Sequence, residues 1–195
     1  MFLIREPSED MVRKYLASQR DQPYSYKEVG ATRDKAPAGY NLDHNRIEIG
    51  KGIEAFDYAV RAVRSWKMFQ MDWVKLCWPG TAIETGEIVG ILVRHYSFWS
   101  LNATRIVYVL DEEGPVRKYG FAYGTLRDHA ESGEERFSVE HRKDDDSVWY
   151  DLFAFSRPNQ FLAKAASPLA RRLQKRFAAD SKSAMSKAVR HLQSK

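Results

Sequence analysis

The densest set of chemically capable side chains runs Thr125-Leu126-Arg127-Asp128-His129-Ala130-Glu131-Ser132-Gly133-Glu134-Glu135-Arg136-Phe137. A histidine followed closely by three glutamates can supply a general acid and a general base, or mixed ligands for a metal. The spacing fits no metal motif, so no metal and no cofactor is expected. His129 and Glu135 stand as the candidate acid–base groups. Strand alternation sets Glu135 on one face with Phe137 and Val139, and Glu134 on the other with Arg136 and Ser138. If the apolar face is the inner one, Glu135 points inward. An inward carboxylate takes a partner or an elevated pKa. The competing reading is an ion pair with an arginine such as Arg105, because burial of an unpaired charge is costly.

Arg105, Tyr108, Tyr119, Tyr123, Trp149 and Tyr150 add polar tips to an aromatic interior. Such groups orient an amphipathic ligand in a pocket. Arg105, Tyr123, Glu135 and Trp149 are the expected ligand contacts, against the alternative that each is an ordinary sheet residue. Gly50-Lys51-Gly52-Ile53-Glu54-Ala55 matches a dinucleotide-binding G-x-G-x-x-A turn, but no further helix–strand alternation follows it. It reads as a tight turn closing a helix onto a sheet. Ser156 lacks the G-x-S-x-G context of an esterase nucleophile. Cys77 lies among Val74, Leu76 and Trp78 and reads as an inert buried thiol.

The elements that must position these groups follow from periodicity and punctuation. Residues 7–20 read as a short helix with Ser8 as N-cap. Residues 21–43 carry Pro23, Gly30, Pro37 and Gly39 and read as a long connection. Arg46–Gly50 reads as a strand and Ile53–Trp66 as a helix with Ile53, Phe56, Val60 and Val63 on one side. Strands are then predicted at Asp72–Trp78, Glu87–Arg94, Thr104–Leu110, Arg117–Thr125, Glu134–Arg142 and Ser147–Phe155. Asn159 follows Pro158 as a possible cap. Leu162, Ala166, Leu169, Leu173, Phe177, Ala184, Ala188 and Leu192 mark the stripe of a long final helix that Pro168 should kink or split. Consecutive antiparallel strands closed by a helix argue for an α+β protein. Seven strands wrapped around a long C-terminal helix is the order of a helix-grip fold, whose curved sheet and helix enclose a cavity. The boundary expected is a helical extension over 1–38 and a helix-grip domain over 39–195.

The chain has 195 residues, 44% of them hydrophobic, which supports one sizeable core. The single cysteine excludes an internal disulfide and a multi-cysteine metal site. No run of 18 apolar residues is present, and the first ten residues turn acidic too soon for a signal peptide, so a soluble cytoplasmic protein is expected. The net charge is +5, unevenly placed. Residues 159–195 hold nine Lys or Arg and one acid, a balance of +8, which leaves −3 on the remainder. The basic residues read as the solvated outer face of the last helix; a nucleic-acid partner is not expected.

The runs GYNLDHNRIEIGKGIEAF, WKMFQMDWVKL, NATRIVYVLDE, GFAYGTLRDHAESGEERFSVE, SVWYDLFAFSRP and PLARRLQKRFAADSKSAM carry a family resemblance. Over about residues 39–190 the chain resembles the domain-of-unknown-function family numbered nineteen-ninety, an uncharacterised family of bacteria and plants. That family is similar in outline to the START and pollen-allergen helix-grip superfamily. The resemblance implies a fold and a pocket but no reaction. The expected function is binding of a mainly apolar or amphipathic small molecule between sheet and final helix. The alternatives are a hydrolase, cyclase or isomerase using the same cavity, and binding of an anionic partner through the basic helix.

Overall fold

The computed structural model describes residues 1–159 and 167–193. A two-residue strand, β1 (Phe2–Leu3), precedes helix α1 (Glu9–Ser18). The Ser8 hydroxyl oxygen accepts from the Met11 amide at 3.3 Å, satisfying one of the donors that a helix start leaves unpaired. Val12 and Leu16, one turn apart, are the buried residues of α1. Strand β2 (Asn41–Lys51) leads directly into α2 (Gly52–Arg64). Gly52 makes that turn with a φ of +85°, and its amide donates to the Asp146 carbonyl. Here only glycine meets no steric penalty. The G-x-G-x-x-A sequence therefore closes a helix onto a hairpin. Strands β3 (Val74–Cys77), β4 (Ile88–Arg94), β5 (Trp99–Glu112), β6 (Val116–Thr125), β7 (Glu131–Arg142) and β8 (Ser147–Pro158) follow, and α3 (Ser167–Gln193) ends the chain.

All pairings are antiparallel, in the order β2-β8-β7-β6-β5-β4-β3, with β1 added along β5. This curled sheet closed by a terminal helix is the α+β helix-grip arrangement. Its inner face packs on α2 and α3 around Phe56, Val63, Phe69, Phe121, Phe137 and Tyr150. Its outer face is covered by α1, through Val12 and Leu16 against Leu92, Leu101 and Leu126. Polar contacts along α3 fasten it to the body. Trp73 Nε1 donates to Asp180 Oδ2 at 2.8 Å, and the hydroxyls of Tyr150 and Ser181 lie 2.8 Å apart.

Several boundaries differ from expectation for a physical reason. β2 begins at Asn41, although its first residues are polar, because it is an edge strand with solvent-facing positions. β5 begins at Trp99, five residues before the expected Thr104: Asn102 is buried in the strand and donates to the carbonyls of Ile91 and Ser100. Pro168 falls in the first turn of α3, where its missing N–H forfeits no helical bond. Leu162 and Ala166 lie outside the described residues.

Candidate functional site

On the inner face of the sheet, Tyr123 of β6 and Glu135 of β7 are direct cross-strand partners. The tyrosine hydroxyl donates to Glu135 Oε2 at 2.7 Å. Phe69, Phe137 and Phe177 surround the tyrosine–carboxyl pair, with Phe69 ring centroids 5.4 Å from Phe137 and 5.5 Å from Phe177. Burial among these rings pushes the Glu135 carboxyl up to about 7, opposed by the Tyr123 hydrogen bond and reinforced by the negative charge of Asp43. Burial, then the Glu135 charge, pushes the Tyr123 hydroxyl well above its ordinary value. The surface that Glu135 retains faces a cavity.

That cavity has a volume of ≈330 Å³ and lies between the inner sheet face and α3. Its walls are mainly apolar, with Phe69, Trp73, Val74, Ile91, Leu152 and Phe177 among them. One polar cluster joins β4 and β5. Asn102 Nδ2 donates to Ser100 Oγ at 3.2 Å, so the Ser100 hydroxyl is free to donate to His95 Nε2 at 2.9 Å. A second cluster ties β2, α3 and β8. Arg171 grips Asp43 with both terminal nitrogens and donates to Gln174 Oε1 at 2.8 Å, while Gln174 Nε2 donates to Ser156 Oγ at 3.0 Å. Ser156 in turn bonds the Glu131 carboxylate, whose pKa burial raises.

His129 also lines the cavity, from the link between β6 and β7. Its Nδ1 sits 3.0 Å from the Glu131 amide and 3.1 Å from the Glu131 carbonyl. An amide N–H can only donate, so Nδ1 accepts and Nε2 carries the proton of the neutral ring. Burial lowers the imidazole pKa to about 4, with the nearby amino terminus acting the same way and the Glu131 carbonyl, an acceptor for the protonated ring, opposing. At neutral pH His129 is an uncharged donor and not an imidazolium. Asn159 holds this link. Its side-chain amide donates to the carbonyls of Arg127 and His129 at 3.1 and 3.0 Å, and its backbone amide to Ala130. Asn159 therefore clasps this loop, and the helix start it was expected to cap lies outside the described residues.

Tyr123, Glu135 and His129 thus share one cavity, whereas Arg105 and Trp149 do not line it. Arg105 lies on the outer face opposite Gly124, where its guanidinium donates to the carbonyls of Gln19, Arg20 and Gln22 at the end of α1. Alternation puts Arg105 there, because its neighbour Ile106 faces in opposite Tyr123, and a β-bulge follows between Ile106 and Tyr108. Before it Ile106 faces in; after it Tyr108 and Leu110 face out. Trp149 is on the outer face because its neighbour Tyr150 takes the inner one; its ring lies under Arg46 and its Nε1 donates to Ser147 Oγ at 2.8 Å. Glu135 accordingly pairs with a tyrosine and not with Arg105.

Glu134, one residue earlier, points to the outer face and is 2% exposed. Oε2 accepts from the Tyr26 hydroxyl and the Gly30 amide, both at 2.7 Å; Oε1 accepts from the amide and hydroxyl of Thr32. Four donors from the long connection converge on one carboxylate, which fastens residues 26–32 to the sheet. Phe69, Trp73, His95, Asn102 and Gln174 escaped the sequence reading as cavity residues. They come from short turns, strand ends and the helix, which no single periodicity brings together.

Among the described residues no group of three or more His, Cys, Asp or Glu could hold a metal ion. No helix among them is long and apolar enough to cross a membrane. Cys77 is buried, and burial pushes its thiol up to about 11.

The chain is similar to solved structures in fold alone. The hypothetical protein jhp0584 from Helicobacter pylori aligns at a TM-score of 0.50 and 10% identity, over 75% of this chain and 86% of that one. Human STARD10 aligns at a TM-score of 0.38 and 9% identity, over 92% and 81%. Among sequence relatives, a UPF0548 protein of Dictyostelium discoideum is 36% identical over 97% of this chain and 96% of its own length. A UPF0548 protein of Deinococcus radiodurans is 37% identical over 91% and 93%. The model of a domain of unknown function, DUF1990, matches residues 25–184, and the chain belongs to that family.

Proposed function

We propose that the protein binds a mainly apolar small molecule in the chamber between the sheet and α3. The observation that carries this reading is the ≈330 Å³ apolar cavity with a few convergent polar groups, His129, Tyr123, Glu135 and the Ser100–Asn102 pair. Small-molecule sites span roughly 300–1,000 Å³ with this lining chemistry, so the chamber suits a compact ligand. The basic side chains of α3 favour an anionic surface less. Arg171 is committed to Asp43 and Arg176 to Asp180, while Lys182 reaches Asn45. Native mass spectrometry of gently purified protein tests the reading: an adduct lost on denaturation is expected. Repeated adduct-free preparations, with no small molecule raising the melting temperature, would sink it.

A second reading, a hydrolase, cyclase or isomerase, is favoured by one observation. Glu135 titrates near neutrality inside the cavity and bonds Tyr123. A carboxyl with that affinity can both take and return a proton at neutral pH, and the tyrosine can donate to developing negative charge. His129 would act there as a neutral donor. Turnover of the bound adduct that disappears in Glu135→Gln, with binding retained, is the result this reading requires.

A further inference from the structure

The charge of the cavity lining narrows the ligand, provided that the chamber is a binding site at all. Asp43, Glu131 and Glu135 contribute carboxylates to it, and no Lys or Arg is among the described lining residues. Its two imidazoles add no positive charge at neutral pH. Burial lowers His95, and His129 titrates at about 4. Two of the carboxylates are already answered by a cation, Asp43 by the Arg171 guanidinium in direct contact and Glu131 by the same positive charge together with the Ser156 hydroxyl. Glu135 has only the Tyr123 hydroxyl, on one oxygen. Oε1 meets no donor among the described residues and belongs to the cavity wall. The rings of Tyr123, Phe69 and Phe177, in contact with one another, line the same cavity. Ring faces carry negative charge density that attracts a cation, most strongly where water is excluded. A buried carboxylate without a counter-ion is costly, and a cation delivered by the ligand removes that cost. An anionic ligand would instead meet Glu135 with no cationic side chain among the described lining residues.

We propose that the ligand carries an organic ammonium group, seated against Glu135 and the aromatic wall of Phe69, Tyr123 and Phe177, with its apolar body toward Ile91 and Leu152.

Three probes of similar shape and different charge test this on the full chain by calorimetry at pH 7: 2-phenylethylammonium, 2-phenylethanol and 3-phenylpropanoate. The ammonium is expected to bind about tenfold or more tightly than the alcohol, and the carboxylate most weakly. Its binding should also release protons, seen as a heat that depends on the buffer, because ion pairing expels the residual Glu135 proton; the alcohol should release none. Glu135→Gln, whose folding is checked by circular dichroism, should lose the preference for ammonium over the alcohol. Proton release is read on the wild type and needs no variant. Equal or tighter binding of the alcohol or carboxylate overturns the proposal but leaves the cavity a binding site, as does an ammonium preference that survives Glu135→Gln. If none of the probes binds, a cationic adduct in native preparations supports the proposal and a neutral or anionic one overturns it. If none binds and no adduct is found, both readings fall.

Discussion

Tyr123 and Glu135 face each other across β6 and β7, and the hydroxyl of the first donates to the carboxyl of the second at 2.7 Å. That bond is what favours the anion of a carboxyl that burial drives toward neutrality. Tyr123→Phe should therefore move the Glu135 titration upward from about 7. Carboxyl carbon NMR across pH 5–9 reads the shift directly.

Glu135 binds its proton more tightly folded than unfolded, with a pKa of about 7 against 4.5. Between those values the folded chain holds more protons, so the carboxyl's contribution to stability is full below about pH 4.5 and falls as pH rises through 7. Glu135→Gln should be neutral near pH 4 and stabilising at pH 8, by about 1–3 kcal/mol. Urea unfolding at the two pH values measures both arms.

His129 has the opposite slope. Its folded pKa of about 4 lies below the ordinary 6.5, so its contribution is full above 6.5 and is lost as pH falls through 4. Where the two windows overlap, the wild-type profile should be shallow. His129→Gln should expose the Glu135 slope, and Glu135→Gln the His129 slope.

The four bonds on Glu134 make it the fastening point of residues 26–32. Glu134→Ala leaves buried hydroxyls and amides without an acceptor, at a cost of about 3 kcal/mol or more. Hydrogen exchange at the Gly30 and Thr32 amides should accelerate well before that of the β6 and β7 interior.

Gly124 lies beneath the same clasp: a Cβ there would fall 2.0 Å from the Tyr26 hydroxyl. Gly124→Ala should cost about 1–3 kcal/mol by displacing Tyr26 from Glu134. Because both changes break one contact, Gly124→Ala with Tyr26→Phe should cost less than the sum of the two.

The periodic parts of the molecule were legible in the sequence. Tyr119, Phe121 and Tyr123 alternate against Gly120, Ala122 and Gly124, and the structure sets the first three on the inner face. Ser8 and the inward turn of Glu135 follow equally local rules, while of the α2 stripe Phe56 and Val63 are buried and Ile53 is exposed, the face being completed by Ala55, Ala59 and Ala62. Arg105 and Trp149 were misread because alternation gives only relative orientation. Which face is inner is fixed only by the partners, Tyr123 beside Ile106 and Tyr150 beside Trp149, and the β5 bulge further turns Tyr108 outward with nothing in a run such as TRIVYVL to mark it. The cavity wall was illegible for another reason: Phe69, His95 and Gln174 are far apart in the chain and meet only through tertiary packing.

The adjacent residues Glu134 and Glu135 have opposite environments, four donors on one side of the sheet and a hydroxyl among aromatic rings on the other. A slip of β7 by one residue would exchange them. The fully clasped carboxylate would then enter the aromatic chamber without its donors, and the other would face Thr32 and Tyr26 out of reach of its tyrosine. Both faces would be penalised at once. The pair therefore acts as a two-sided check on strand alignment, so the residues that shape the chamber also guard against misassembly of the sheet that holds it.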